Sequence, residues 1–391
     1  MKTNFDLPIN RLDSDSGKWG RYGEDVLPMW VADMDFLSPQ PILDAMRQRI
    51  DHGVFGYGQP PYELREVLAE RLATRHQWSV EPDQVTFLPG LVCALNLFCR
   101  AFGKPGGGVL VNTPVYMPFL SAPVNQGQET HVAELACTTI NANGHERLHY
   151  EIDFDALEEA IQPHTRLFIL CNPHNPVGRA YTQDELAHIA ELCLKHDLIL
   201  CSDEIHCDLT MADNKHISIA SLSPQMAERT ITLIAPSKTF NIPGLGCSAA
   251  IIQNMELRQQ FDQAAKGIVP HVNLLGYEAG MAAYTQCDDW HDGLLAYLSA
   301  NRDFITHYVD SHLPTIRTTC PEATYLAWLD CREAGIEGTP QEFFLKEAKV
   351  AFSDGAAFGQ GGEGFVRLNY GCTKAILEQG LERVRNALNY S

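Results

Sequence analysis

At 391 residues, 45% of them hydrophobic and 20% charged, the chain is long enough for two domains around a shared site and too apolar for extended disorder. Its formal net charge of −20, without any clustered Lys/Arg run, argues against a nucleic-acid partner, because neutralising phosphates needs concentrated positive charge. Twelve cysteines stand singly, with no Cys-x-x-Cys pair and several inside apolar runs, such as Cys171 and Cys201; free buried thiols in a reducing compartment fit better than a disulfide framework.

The first 40 or so residues are irregular and polar apart from the apolar stretch Met29-Trp30-Val31-Ala32. The opening Met1-Lys2-Thr3-Asn4-Phe5-Asp6 has no apolar signal core and no apolar run reaches membrane length, so a cytoplasmic location without membrane association is expected. Short β-branched-rich runs bounded by Gly, Pro or Asp then predict buried strands at Val85–Leu88, Val109–Val111, Arg166–Cys171, Leu198–Ser202, Thr230–Ala235 and Ser248–Ile252. Between two of them, Thr182-Gln183-Asp184-Glu185 reads as a capping box. Leu186, Ile189, Ala190 and Cys193 follow on one helical face, and Lys195-His196 close the last turn favourably for the helix dipole. Strand, helix, strand in this rhythm implies right-handed crossovers and a largely parallel sheet, an α/β fold. After about residue 280 the texture changes to longer helices with strands at Ala323–Leu329 and Gly364–Asn369 and a closing helix near Lys374–Leu388, which predicts a smaller α+β domain. The expected division is a segment 1–45 joining the small domain, a large domain 46–280, and a C-terminal part 281–391.

In an open α/β sheet, ligands sit outside the carboxyl ends of the strands, so the polar groups there are the informative ones. Three strands run into distinctive residues: Asn172-Pro173-His174-Asn175-Pro176-Val177-Gly178, Asp203-Glu204-Ile205-His206, and Pro236-Ser237-Lys238-Thr239-Phe240-Asn241. Singly each has a plain explanation: an Asp after a strand is usually a cap or turn former, a Ser-Lys pair is common, and an Asn-Pro-x-Asn-Pro run is a rigid turn. At three successive strand ends the coincidence favours a site. Metal chemistry is not expected, since the histidines are dispersed, no His-Glu-x-x-His occurs and His206-Cys207-Asp208 has no fourth ligand nearby. Gly106-Gly107-Gly108 precedes a strand instead of following one, which argues against a nicotinamide-binding fingerprint.

Asn175, Asp203, Lys238 and Arg367 resemble, in order and separation over nearly the whole chain, the aspartate-aminotransferase superfamily of pyridoxal 5′-phosphate (PLP) enzymes of fold type I. Pro28-Met29-Trp30-Val31-Ala32-Asp33-Met34-Asp35-Phe36, Phe55-Gly56-Tyr57 and Ala235-Pro236-Ser237-Lys238-Thr239-Phe240-Asn241 look like its MalY/PatB branch of cystathionine β-lyases and other cysteine-S-conjugate β-lyases. The resemblance implies a large domain with a mainly parallel seven-stranded sheet and PLP held covalently by Lys238, which then moves the Cα proton. It implies Asp203 at the pyridine nitrogen, Asn175 at the ring's 3′-oxygen, Tyr116 stacked on the ring, and Arg367 gripping the substrate carboxylate, with Ala32 and Asn175 on the substrate side. Gly90-Leu91-Val92, opening a helix, and Ser237 would hold the phosphate, and Tyr57 would reach it from a second subunit of an obligatory homodimer. The implied reaction is β-elimination from a cysteine thioether to thiol, pyruvate and ammonia; with cystathionine it yields homocysteine for methionine biosynthesis.

Two departures from the common aminotransferase pattern lean toward the lyase branch. Gly244-Leu245-Gly246-Cys247 stands where an aminotransferase has a phosphate-binding Arg in Gly-Leu-Arg-x-Gly, and His206 stands where many have a Tyr contacting the 3′-oxygen. An aminotransferase of aromatic or branched amino acids uses the same early residues, so it stays open as the alternative. A PLP-binding regulatory protein with vestigial chemistry is disfavoured by the intact Lys, Asp, Asn and Arg set.

Overall fold

A computed structural model describes residues 3–142, 144–211 and 214–389. Its centre is a seven-stranded sheet of β1 (Val85–Leu88), β2 (Gly108–Thr113), β3 (Glu129–Glu134), β4 (Thr165–Cys171), β5 (Ile199–Asp203), β6 (Thr230–Ile234) and β7 (Ser248–Ile251), in the order β1-β7-β6-β5-β4-β2-β3. Only β7 runs against its neighbours; the β6–β5–β4–β2–β3 pairings are all parallel. The alternation of strand side chains splits the sheet into two apolar faces, both covered, as parallel sheets require. Leu110, Phe168, Leu170 and Leu200 pack with Leu186, Ile189 and Cys193 of the helix Gln183–Lys195. Val109, Val111, Leu167, Ile169, Cys201, Ile231 and Leu233 pack with Leu95, Phe98 and Cys99 of the helix Leu91–Phe102.

The capping box at Thr182 forms as the sequence predicts. Its Oγ1 accepts from the Glu185 N–H at 3.2 Å, and Glu185 Oε2 accepts from the Thr182 N–H at 2.8 Å. Glu185 also pairs with Arg179 at 2.9 Å, which fastens the helix to the end of the turn that follows β4.

β3 is absent from the strands legible in sequence, as is the antiparallel pair Ala136–Ala142 and His145–Glu151. Glu129-Thr130-His131-Val132-Ala133-Glu134 lies at the sheet edge with only Ala133 buried, so it carries no continuous apolar run. All twelve cysteines are free, nine of them buried.

Toward the C-terminus, Leu326–Asp330 and Phe365–Asn369 form the centre of a four-stranded antiparallel sheet, and the closing helix spans Lys374–Ala387. Leu27–Pro28 pairs in parallel with Val350–Ala351, and Met29 and Met34 share a core with Leu326, Leu368, Leu377 and Leu381. The chain leaves that pairing through Trp30-Val31-Ala32, which lies across the carboxyl ends of the large-sheet strands and closes the cleft there. No helix among the described residues is long and apolar enough to cross a membrane.

Candidate active site

β4, β5 and β6 lie side by side, so the three polar turns that follow them open into one place. A cleft of about 360 Å³ there is lined by Lys238, Asp203, Asn175, His206, Tyr116, Ser237, Arg367, Ala32 and Gly90-Leu91-Val92. Eleven of the twelve residues expected at the site thus converge. Tyr57 does not: it is fully exposed on the loop after the helix Gln40–Asp51 and is absent from the cleft lining.

The turn bearing Asn175 is held by its own polar residues. Asn172 accepts from the Tyr181 N–H at 3.1 Å and donates to the Ile217 carbonyl at 3.2 Å. His174 lies between the Pro114 carbonyl (2.8 Å) and the Tyr181 hydroxyl (2.9 Å). Burial pushes His174 down to about 4, so it stays neutral and serves as a fixed strut. Asn175 Oδ1 then accepts from Arg367 Nη1 at 2.9 Å.

Arg367 enters from the small-domain strand Phe365–Asn369. Its Nη2 donates to the Trp30 carbonyl at 2.9 Å and to Ser353 Oγ at 3.2 Å, and its guanidinium stands 4.9 Å from the Phe358 ring centre. No carboxylate among the described residues pairs with it, Nε has no partner, and burial pulls its pKa down to about 10. A strand-edge salt bridge is therefore not its role; a buried cation without a counter-charge is costly unless an anion completes it.

Asp203 closes β5. Burial pushes it up to about 7, against the Ile205 N–H donated to Oδ1 at 3.1 Å and the charge of Lys238. Lys238 sits in the short helix Pro236–Thr239, and its Nζ donates to the Ala32 carbonyl at 2.6 Å. Burial and the neighbouring Arg367 bring it down to about 8, with Asp33 and Asp203 pulling the other way. His206, fully buried near Lys238 and Arg367, is pushed down to about 3, and its Nδ1 lacks a partner. Gly90 begins the helix Leu91–Phe102 with no side-chain cap, leaving the first N–H groups to face the cleft.

These features fit PLP. An uncapped helix N-terminus suits a phosphate, a buried carboxylate suits a protonated ring nitrogen, and a neutral imidazole with a free nitrogen suits a ring oxygen. Residues 24–384 match the family described as aminotransferase class I and II. The chain belongs to that family. It is 40% identical over 394 residues to cystathionine beta-lyase PatB of Bacillus subtilis (strain 168), covering 99% of this chain and 100% of that protein. A crystal structure of OvoB superposes with a TM-score of 0.93 at 42% identity, over 99% of both chains. A PLP-bound C-S lyase from Staphylococcus hominis superposes at 0.91 with 31% identity, over 99% and 98%. The fold is accordingly that of the type I PLP-dependent transferases.

Sequence reasoning missed Trp30, Ser353 and Tyr325. Trp30 and Ser353 hold Arg367, while the Tyr325 hydroxyl donates to the Ala32 carbonyl at 2.8 Å. Trp30 lay within a motif already singled out; Tyr325 and Ser353 carried no local signal, since contacts across the fold bring them in.

Proposed function

We propose that the chain is a PLP-dependent carbon–sulfur β-lyase acting on cysteine thioethers, cystathionine or other cysteine S-conjugates, and releasing thiol, pyruvate and ammonia. The observation that carries this reading is the buried Arg367 without a counter-anion, set beside the depressed amine of Lys238 in the same cleft. The first calls for a carboxylate; the second can take a proton from the carbon next to it.

PLP, when bound, supplies the electron sink that makes the substrate Cα–H acidic. Lys238 would hold the cofactor through its amine, and that amine, when free, would take up the Cα proton. Asp203 would keep a proton on the ring nitrogen through its negative charge. Arg367, steadied by Asn175, Trp30 and Ser353, grips the α-carboxylate and so fixes which Cα bond faces Lys238. Asn175 and His206 would serve the 3′-oxygen, Tyr116 would cover the ring, and Ser237 with the Gly90-Leu91-Val92 helix start would hold the phosphate.

Gly246 supports lyase over aminotransferase chemistry. It lines the cleft at φ +57°, where a Cβ would stand 3.0 Å from the Pro89 carbonyl oxygen, so the Arg of the aminotransferase pattern would be crowded and strained there. The phosphate cup is then left with N–H groups and Ser237, to which Tyr57 of a second subunit would add a hydroxyl; the exposure of Val54, Phe55 and Tyr57 supports that homodimer. The pairing of Leu27–Pro28 with Val350–Ala351 supports a small domain made of residues 1–45 and 281–391, with 46–280 as the large domain. The cytoplasm, with its free thiols and PLP, is the proposed compartment, and homocysteine supply for methionine biosynthesis the proposed role.

The deciding experiment gives the PLP-loaded protein cystathionine, cystine and a simple S-alkyl cysteine side by side without any 2-oxo acid. Pyruvate is expected in equal amounts with thiol from cystathionine and the S-alkyl cysteine, and with cysteine persulfide from cystine, whose leaving half carries both sulfur atoms. Turnover that requires a 2-oxo acid acceptor would make the chain an aminotransferase, and no turnover on any thioether would make it a PLP-binding regulator.

A further inference from the structure

The large sheet carries a second convergence of ligating side chains at the end opposite the cleft. The two-residue repeat of a strand puts Glu129 and His131 on one face at the start of β3. His164 immediately precedes β4. Between them lies Gly108, the first residue of β2, paired with Glu129 on one side and Thr165 on the other. A Cβ at position 108 would stand 2.3 Å from His131 Cε1, so the glycine leaves room for the His131 imidazole to lie over β2.

Both imidazoles aim the same atom at the same oxygen. His164 Nε2 is 3.0 Å and His131 Nε2 3.5 Å from Glu129 Oε2, with the two rings edge to face at 5.0 Å between centres. Donors bound tetrahedrally to one zinc ion at about 2.0–2.1 Å stand about 3.4 Å apart, so both nitrogens already stand near ligand spacing from the Glu129 oxygen, and the three donor atoms lie within 4.8 Å of one another. His131 is also oriented from behind. Its Nδ1 is 2.7 Å from Thr165 Oγ1, which accepts from the Gln162 N–H at 2.8 Å. That buried oxygen can accept the Nδ1 proton, the tautomer that leaves a lone pair on Nε2 facing Glu129. The His131 side chain is 10% exposed and fixed, whereas His164 at 43% and Glu129 at 61% leave the site open to solvent and to water ligands.

We propose that Glu129, His131 and His164 bind a divalent transition-metal ion, Zn²⁺ in the first instance, which pins the edge strand β3 to the head of β4. Two imidazoles and one carboxylate suit Zn²⁺, Ni²⁺ or Cu²⁺ better than Mg²⁺ or Ca²⁺, which prefer all-oxygen sets. The site is structural: it lies at the amino ends of the strands, away from the catalytic turns, and secures the edge most prone to fraying or mispairing.

The test uses the PLP-loaded enzyme carrying Cys137→Ser and Cys320→Ser, which removes the two exposed thiols as competing ligands. Titration calorimetry with ZnCl₂ should give one equivalent per chain, and Tm should rise with the logarithm of free Zn²⁺. His164→Ala and Glu129→Gln should each lose that equivalent and the Tm rise while keeping the rate of pyruvate formation. Thr165→Val should keep the equivalent but weaken it about tenfold, as expected for a group that orients a ligand. No binding at micromolar free Zn²⁺, or an equivalent that survives in the His131→Ala/His164→Ala double variant, overturns the proposal.

Discussion

Lys238 Nζ donates to the carbonyl oxygen of Ala32 at 2.6 Å across 206 residues of sequence, and the Tyr325 hydroxyl reaches the same oxygen at 2.8 Å. The irregular N-terminal segment is thereby a wall of the cleft. A carbonyl can hold the amine but brings no full negative charge, so burial and Arg367 dominate and Lys238 stays easy to deprotonate.

Replacing that amine should stop the chemistry without unfolding the protein. Lys238→Ala is expected to abolish pyruvate formation from any thioether and to remove the visible absorbance of covalently held PLP, with the far-UV circular dichroism unchanged. Full turnover in this variant would sink the mechanism.

The depressed pKa makes a separate prediction for the cofactor-free protein. Only the neutral amine can attack the PLP aldehyde. With Lys238 near 8, about one molecule in ten has a neutral amine at pH 7, against about one in three thousand for an ordinary lysine. The rate of covalent PLP capture, followed by stopped-flow absorbance, should therefore rise about tenfold per pH unit below 7 and level off above about 8. A rise that continues unchanged toward pH 10 would mean that burial does not depress this amine.

How much of this was legible beforehand follows from where each signal resides. Six of the seven sheet strands show as apolar runs: five because most of their side chains are buried on both faces, and the edge strand β1 because Val85, Phe87 and Leu88 are apolar; the other edge strand, β3, does not, because it exposes polar residues. The chemical residues Asn175, Asp203 and Lys238 were legible because strand ends in this topology converge. Arg367 was recognisable only through a resemblance, since nothing local says that a strand residue near the C-terminus meets Asn175 from 192 positions earlier. Tyr325 and Ser353 were illegible for the same reason.

Arg367→Lys tests the carboxylate grip. A lysine keeps the charge but loses the two-pronged geometry, and the contacts to Asn175, Trp30 and Ser353 cannot all be kept by one ammonium. Losing hydrogen bonds to a charged group should raise KM about tenfold to hundredfold. The PLP spectrum should be unaltered, which separates a substrate defect from a cofactor defect. An unchanged KM would remove Arg367 from the substrate site.

Asp203→Asn removes a buried negative charge and keeps the shape. The neutral amide is cheaper to bury than a carboxylate already pushed up to about 7, so Tm of the cofactor-free protein should not fall. Turnover should nevertheless drop about hundredfold or more, because in the proposed role a negative charge opposite the ring nitrogen would act where charge develops in the reaction. A variant that lost stability in proportion to activity would instead mark Asp203 as a structural cap.

Tyr57 gives the sharpest test of the shared site. It is fully exposed, with Val54 and Phe55 exposed beside it, an arrangement that a neighbouring subunit would cover. Tyr57→Ala should weaken PLP binding, and a mixture of Tyr57→Ala and Lys238→Ala subunits should do better than either alone. In the mixed dimer the chain that retains Lys238 receives an intact Tyr57 from the other, so one of its two sites is whole. Random exchange at equal amounts makes half the dimers mixed, which should restore about a quarter of wild-type activity at limiting PLP. If Tyr57 instead served its own chain, mixing would restore nothing, and an active monomer in gel filtration would remove the shared site altogether.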